Sequence, residues 1–127
     1  MPDWQFFSYE TDSKLACSCC GAQGMNDQFM VRIDALRADY DKPLIVTSGY
    51  RCSAYNQRVS STGESGPHTT GLAIDLHVSG EDAHRLLDLA FTYQFLGIGI
   101  AQKGNHGARF IHLDDISAGN RPWVWSY

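Results

Sequence analysis

The sequence predicts an α+β fold with a largely antiparallel sheet, helices packed on one sheet face and a cleft on the other. Three observations carry this. Two segments place apolar residues at helical spacing, and several short apolar runs read as strands. The elements follow the order helix, strand, long loop, strand, helix and hairpin. The 127 residues allow a single domain over 1–127, with one core.

In "MNDQFMVRIDALRADY", Phe29, Met30, Ile33, Leu36 and Tyr40 recur at helical spacing, with Asn26 as N-cap and Asp27 suiting the positive helix end. "DKP" stops that helix, and "LIVTS" reads as a buried strand. "GYRCSAYNQRVSSTGESGPH" is a long loop of small polar residues with a short helical turn at Ala54–Val59, and a loop of this length points to function. "GLAIDLHV" is the next strand. "SGEDAHRLLDLAFTYQ" is a helix with Ser79 as N-cap and an apolar stripe of Ala83, Leu86, Leu87, Ala90 and Phe91. "GIGIA" and "RFIHLDDI" form a hairpin around "QKGNHGA", and "NRPWVWSY" is an aromatic tail that docks on the body.

Hydrophobic content of 43% and charged content of 19% are those of an ordinary globular chain. A formal charge of −4 with no basic block argues against a nucleic-acid partner. No window approaches the length of a membrane span, so no membrane insertion is expected, and a monomer is expected. The N-terminal "MPDWQFFSYETDSK" lacks the basic region and apolar run of a signal peptide, which implies cytoplasmic synthesis. Cys17, Cys19 and Cys20 crowd into "ACSCCG", far in sequence from Cys52. This is not the paired CxxC spacing of a zinc ribbon, so free thiols are the default; a disulfide to Cys52 and a metal site of sulfurs alone are the alternatives.

A carboxylate at Asp75 inside the apolar run Leu72–Leu76 demands a partner. Strand alternation puts Leu72, Ile74 and Leu76 on one face, and Ala73, Asp75 and His77 on the other. In "RFIHLDD" it likewise groups Phe110, His112 and Asp114 opposite Ile111 and Leu113. If the two strands are neighbours, Asp75 and His112 converge, and His68 enters from the loop, with Gly71 permitting a sharp turn. Two imidazoles and one carboxylate suit zinc with a fourth position open. Alternation alone leaves a salt-bridge partner or a strand-end cap as other readings of Asp75.

"SGYRCSAYNQRV", "GPHTTGLAIDL", "FIHLDD" and "RPWVWSY", in that order, resemble the LAS-type zinc peptidases, which include lysostaphin, the D-Ala-D-Ala metallopeptidases and the hedgehog signalling domain. The resemblance is nearest to the small D-Ala-D-Ala carboxypeptidases and L-Ala-D-Glu endolysins of bacteria and phages. Their SxHxxGxAxD pattern reads GxHxxGxAxD here: His68, Gly71, Ala73 and Asp75 match, and Gly66 replaces the serine. The resemblance implies a hedgehog/D-Ala-D-Ala metallopeptidase-like fold and a Zn2+ held by His68, Asp75 and His112. It also implies cleavage of peptidoglycan stem peptides at the cell wall after release, as by a phage lysis enzyme, with Arg51 contacting substrate. Several relatives carry a glutamate three residues before the last histidine, where this chain has Arg109, which cannot serve as a base. Asp114 is the expected substitute and His106 the second candidate. The missing glutamate also motivates an alternative, a catalytically inactive zinc-containing module that binds cell-wall peptides.

Overall fold

The computed structural model describes residues 4–127. Among them are helices α1 (Asp27–Tyr40), α2 (Ser53–Val59) and α3 (Gly80–Thr92), and strands β1 (Ile45–Ser48), β2 (Ala73–His77), β3 (Gly97–Ala101), β4 (Phe110–Asp114) and β5 (Trp123–Ser126). The strands form one sheet in the order β1-β2-β4-β3-β5.

The helices start and stop for local reasons. The Asn26 side-chain oxygen accepts from the Phe29 N–H at 2.9 Å, capping α1. Asp41, in left-handed conformation, ends it. Phe29, Met30, Ile33, Leu36 and Tyr40 are all buried, following the periodicity. In α3, Ala83, Leu86 and Ala90 are buried, whereas Phe91 is 60% exposed. Phe91 follows Ala90 directly and so points about 100° round the helix from it. Ser79 stands at the N-cap of α3 but makes no cap bond, because its hydroxyl pairs with His106 Nδ1 instead.

Three of the strand pairings are antiparallel, and β3–β5 is parallel. The sheet is therefore mixed, and the aromatic tail does more than dock: it is an edge strand. The direction follows from register. Asp114 at the end of β4 pairs with Gly97 at the start of β3, and Trp123 also pairs with Gly97. The connecting loop rounds one end of β3, so β5 must run alongside β3 in the same sense.

Ile74, Leu76, Ile98, Ile111 and Leu113 join the buried residues of α1 and α3 in one apolar cluster. Each such side chain contributes about 1.5–3 kcal/mol on burial. The alternate residues Asp75, His112 and Asp114 are buried too, but outside that cluster. No helix among the described residues is long and apolar enough to cross a membrane.

The turn Pro67–Thr70 delivers His68 to β2 and ends at Gly71, whose φ is 77°. A Cβ at Gly71 would lie 2.1 Å from the Gly24 carbonyl oxygen, and the Asn26 N–H donates to the Gly71 carbonyl at 2.9 Å. Both backbone conformation and space exclude a side chain. Gly71→Ala is expected to lower stability by about 1–3 kcal/mol, read by urea unfolding.

Candidate metal centre

Asp75 on β2 and His112 on β4 are direct cross-strand neighbours. Their side chains share a face, as alternation requires. Asp75 Oδ1 lies 3.0 Å from His112 Nδ1 and 3.3 Å from His68 Nε2. Ligand atoms of the three residues all fall within 4.8 Å of one another, and all three residues are buried.

The far nitrogens decide the tautomers. His68 Nδ1 lies 2.8 Å from the Gly49 carbonyl oxygen, which can only accept, so Nδ1 carries a proton and Nε2 is the nitrogen facing Asp75. His112 Nε2 lies 2.7 Å from Asp114 Oδ2, so its proton sits there and Nδ1 is the nitrogen facing Asp75. Deprotonated by a bound cation, these two facing nitrogens would join the carboxylate in offering donor atoms to one point, and each imidazole is oriented by an acceptor behind it. This donor set fits zinc, with a fourth direction left towards the cleft.

Burial pushes the Asp75 carboxyl up, but hydrogen bonds with His112 and His68 outweigh it and hold the group well below the usual carboxylate range. Burial pushes His112 down, and its bonds to Asp114 and Asp75 more than reverse this, so its pKa is raised. In protein free of metal, a hydrogen bond from His112 Nδ1 to Asp75 needs a proton on that nitrogen, which a bound cation must displace.

Asp114 does not take the place expected of a base. It is fully buried behind His112 and is not itself among the residues that line the cleft. Its oxygens accept from His112, from Arg121 Nε at 3.0 Å and Nη2 at 2.9 Å, and from the Ile116 N–H at 3.3 Å. Burial raises its pKa, but His112 and Arg121 bring it down to about 2. A carboxylate so engaged orients the imidazole and does not collect protons from the cleft. The space for it comes from β3: a Cβ at Gly97 would lie 2.2 Å from the Asp114 carboxylate, and one at Gly99 would strike the Trp125 indole at 2.7 Å.

His106 is not brought to the site. It is exposed in the hairpin turn, paired with Ser79, and does not line the cleft. His77 bonds the Arg109 carbonyl, and His84 is exposed on α3. Arg51 does reach the cleft, with its guanidinium 4.0 Å from Asp75 Oδ2 and 3.2 Å from the Asn56 side-chain oxygen. Asn56 is buried and ties the loop together through Thr62 and Gly63.

Arg121 is the residue that sequence reasoning missed. It pairs with Asp114, stacks over Trp125 at 4.9 Å and lines the cleft. Its stretch RPWVWSY carries part of the resemblance, but the role of Arg121 could not be read there, since it depends on β5 pairing with β3. Trp123, Trp125 and Tyr127 also line the cleft, which encloses about 680 Å³, within the range of ligand pockets. Tyr50 does not line it and instead covers Gly24.

With this geometry in place, comparison with known proteins is decisive on one point. The family model described as Peptidase M15 matches residues 8–114. The chain belongs to the peptidase M15 family. Its members are zinc-dependent peptidases, and the match takes in His68, Asp75 and His112 but stops before Arg121 and β5. No curated protein matches the chain significantly.

Two outcomes follow for this M15 peptidase. Asp114→Asn should weaken metal binding roughly 10–100-fold, measured by competition with a chelator. After chelation, the stability contributed by His112, whose pKa is raised on folding, is full below about 6.5 and fades as pH rises through the raised value. Stability from Asp75 and Asp114, whose values are lowered, is full above about 3.9 and fades as pH falls. The chelated protein should thus be most stable between about pH 4 and 6.5 in denaturant titrations.

Proposed function

We propose that the chain is a zinc peptidase that cleaves peptidoglycan stem peptides, as a D-Ala-D-Ala carboxypeptidase or an L-Ala-D-Glu endopeptidase. It is made in the cytoplasm and acts at the cell wall after release, as a phage lysis enzyme does. The observation that carries this reading is the convergence of His68 Nε2, Asp75 Oδ1 and His112 Nδ1 at the floor of a cleft flanked by Arg51 and Arg121.

Zinc held by these three residues supplies Lewis acidity, polarising a peptide carbonyl and acidifying water at neutral pH. The chain's own residues do the rest. Arg51 offers N–H donors beside Asp75, suited to a substrate carboxylate or to the oxyanion that develops at the scissile carbonyl. Trp123, Trp125 and Tyr127 present flat apolar walls along which a peptide can lie. Stem peptides carry free carboxylates, which suits a cleft lined by two arginines and one carboxylate among its described residues.

That single carboxylate also favours the second reading. With Arg109 at the glutamate position and Asp114 engaged, Asp75 alone remains at the cleft surface, and it belongs to the ligand set. A module that binds zinc and wall peptides without cleaving them has this composition.

Incubating zinc-loaded protein with defined stem peptides, followed by mass spectrometry of the products, separates the two readings and names the bond. Cleavage lost in His68→Ala together with the zinc of this centre supports the peptidase; binding without product supports the module. Arg51→Ala should keep its zinc and lose kcat/KM by roughly 10²–10³.

A further inference from the structure

The sulfurs of Cys17, Cys19, Cys20 and Cys52 all lie within 4.8 Å of one another. Cys17 and Cys19 are 3.6 Å apart, and Cys19 and Cys52 are 3.4 Å apart. Four sulfurs at about 2.3 Å from a tetrahedral ion stand about 3.8 Å from each other, so these separations are those of a tetrathiolate cage. All four cysteines are free. A disulfide would engage two of the sulfurs and give no reason for the other two to converge; a cation engages all four. Four thiolates this close also repel one another strongly unless a cation lies between them.

The backbone is arranged to serve sulfur acceptors. The Cys52 N–H donates to Cys17 Sγ at 3.3 Å, and the Tyr55 N–H donates to Cys52 Sγ at 3.4 Å. The segment 17–22 closes on itself through Gly21 N–H to the Cys17 carbonyl and Cys17 N–H to the Ala22 carbonyl, presenting three sulfurs from one turn. Cys52 supplies the fourth from the N-cap of α2.

We propose that Cys17, Cys19, Cys20 and Cys52 form a second metal site, a closed four-sulfur structural site for zinc, separate from the His68–Asp75–His112 centre. Four protein ligands leave no open position, so the site is structural. Its place in the fold says what it holds. The N-terminal segment runs beside the long loop, with Gly49 N–H donating to the Lys14 carbonyl and Tyr50 N–H to the Leu15 carbonyl. The sulfur site locks the end of that pairing. Arg51 is the next residue before Cys52, and the Gly49 carbonyl holds the His68 ring. The staple therefore positions both Arg51 and His68 without touching substrate.

The test uses the full chain purified under reducing conditions, loaded with zinc or with cobalt. Zinc analysis should find two ions per chain in the wild type and one in His68→Ala. Cobalt-loaded His68→Ala should keep an intense thiolate-to-cobalt charge-transfer band, which Cys19→Ser/Cys20→Ser loses. Both substituted cysteines are exposed. A folded Cys19→Ser/Cys20→Ser protein should hold one zinc and melt at lower temperature. A His68→Ala protein without bound zinc, or whose cobalt spectrum lacks the band, overturns the site, as does a disulfide that persists under reduction. The His68→Ala result decides the matter even if the cysteine variant does not fold. One ion retained there with no peptide cleavage by the wild type would sink the peptidase reading and leave the sulfur site standing.

Discussion

The structure depends on how the charge of Asp75 is compensated within a buried strand. An unpaired carboxylate there would cost several kcal/mol. Register solves the problem: β2 and β4 pair so that Asp75 faces His112, and the turn before β2 brings His68 to the same carboxylate oxygen. Slipping the pairing by one residue would turn Asp75 into the apolar cluster and Ile74 out of it. The hydrophobic pattern and the polar centre therefore enforce the same register. This consistency lets a short sheet carry a demanding site.

Support then propagates outwards in two directions. On one side, His112 leans on Asp114, Asp114 on Arg121, and Arg121 is held by the strand that pairs with β3. The bare glycines of β3 leave room for this stack, and Trp125 covers it, with its ring 5.1 Å from His112. On the other side, His68 leans on the Gly49 carbonyl, and the Gly49 segment is pinned to the N-terminal segment by backbone hydrogen bonds. His68 thus owes its orientation to the Gly49 segment, and His112 to Asp114 on its own strand, which Arg121 in turn holds.

How much of this could be read from sequence follows from the range of each interaction. The caps and stripe of α1 depend on residues three and four apart, and they were legible. The shared face of Asp75, His112 and Asp114 was legible because strand periodicity is strict. Whether Asp114 faced the cleft or Arg121 was not, because that depends on the tail forming a parallel edge strand, a pairing with no local signature. His106 was the second candidate base from the hairpin turn, yet that turn lies beside Ser79 at the start of α3. The approach of Cys52 to the ACSCCG turn is likewise a product of tertiary structure; chain spacing alone made free thiols the default, with a disulfide to Cys52 or a metal site of sulfurs as alternatives.

The charge arrangement bears on which peptides the cleft would favour. Arg121 pairs with Asp114 behind His112, so that carboxylate adds little to the field inside the cleft. Asp75 remains to face a divalent cation, and Arg51 stands beside it at 4.0 Å, too far for a tight pair. A cation at the centre would consume the Asp75 charge and leave Arg51 uncompensated. The cleft would then be positive at its floor and aromatic along its walls, a combination that favours a carboxylate-bearing peptide over a cationic one. It would also place the missing relative of the family glutamate in context: a second free carboxylate would reduce the attraction for an anionic substrate. Proton transfer by solvent, or by a group the substrate itself brings, is the condition under which such a cleft could catalyse.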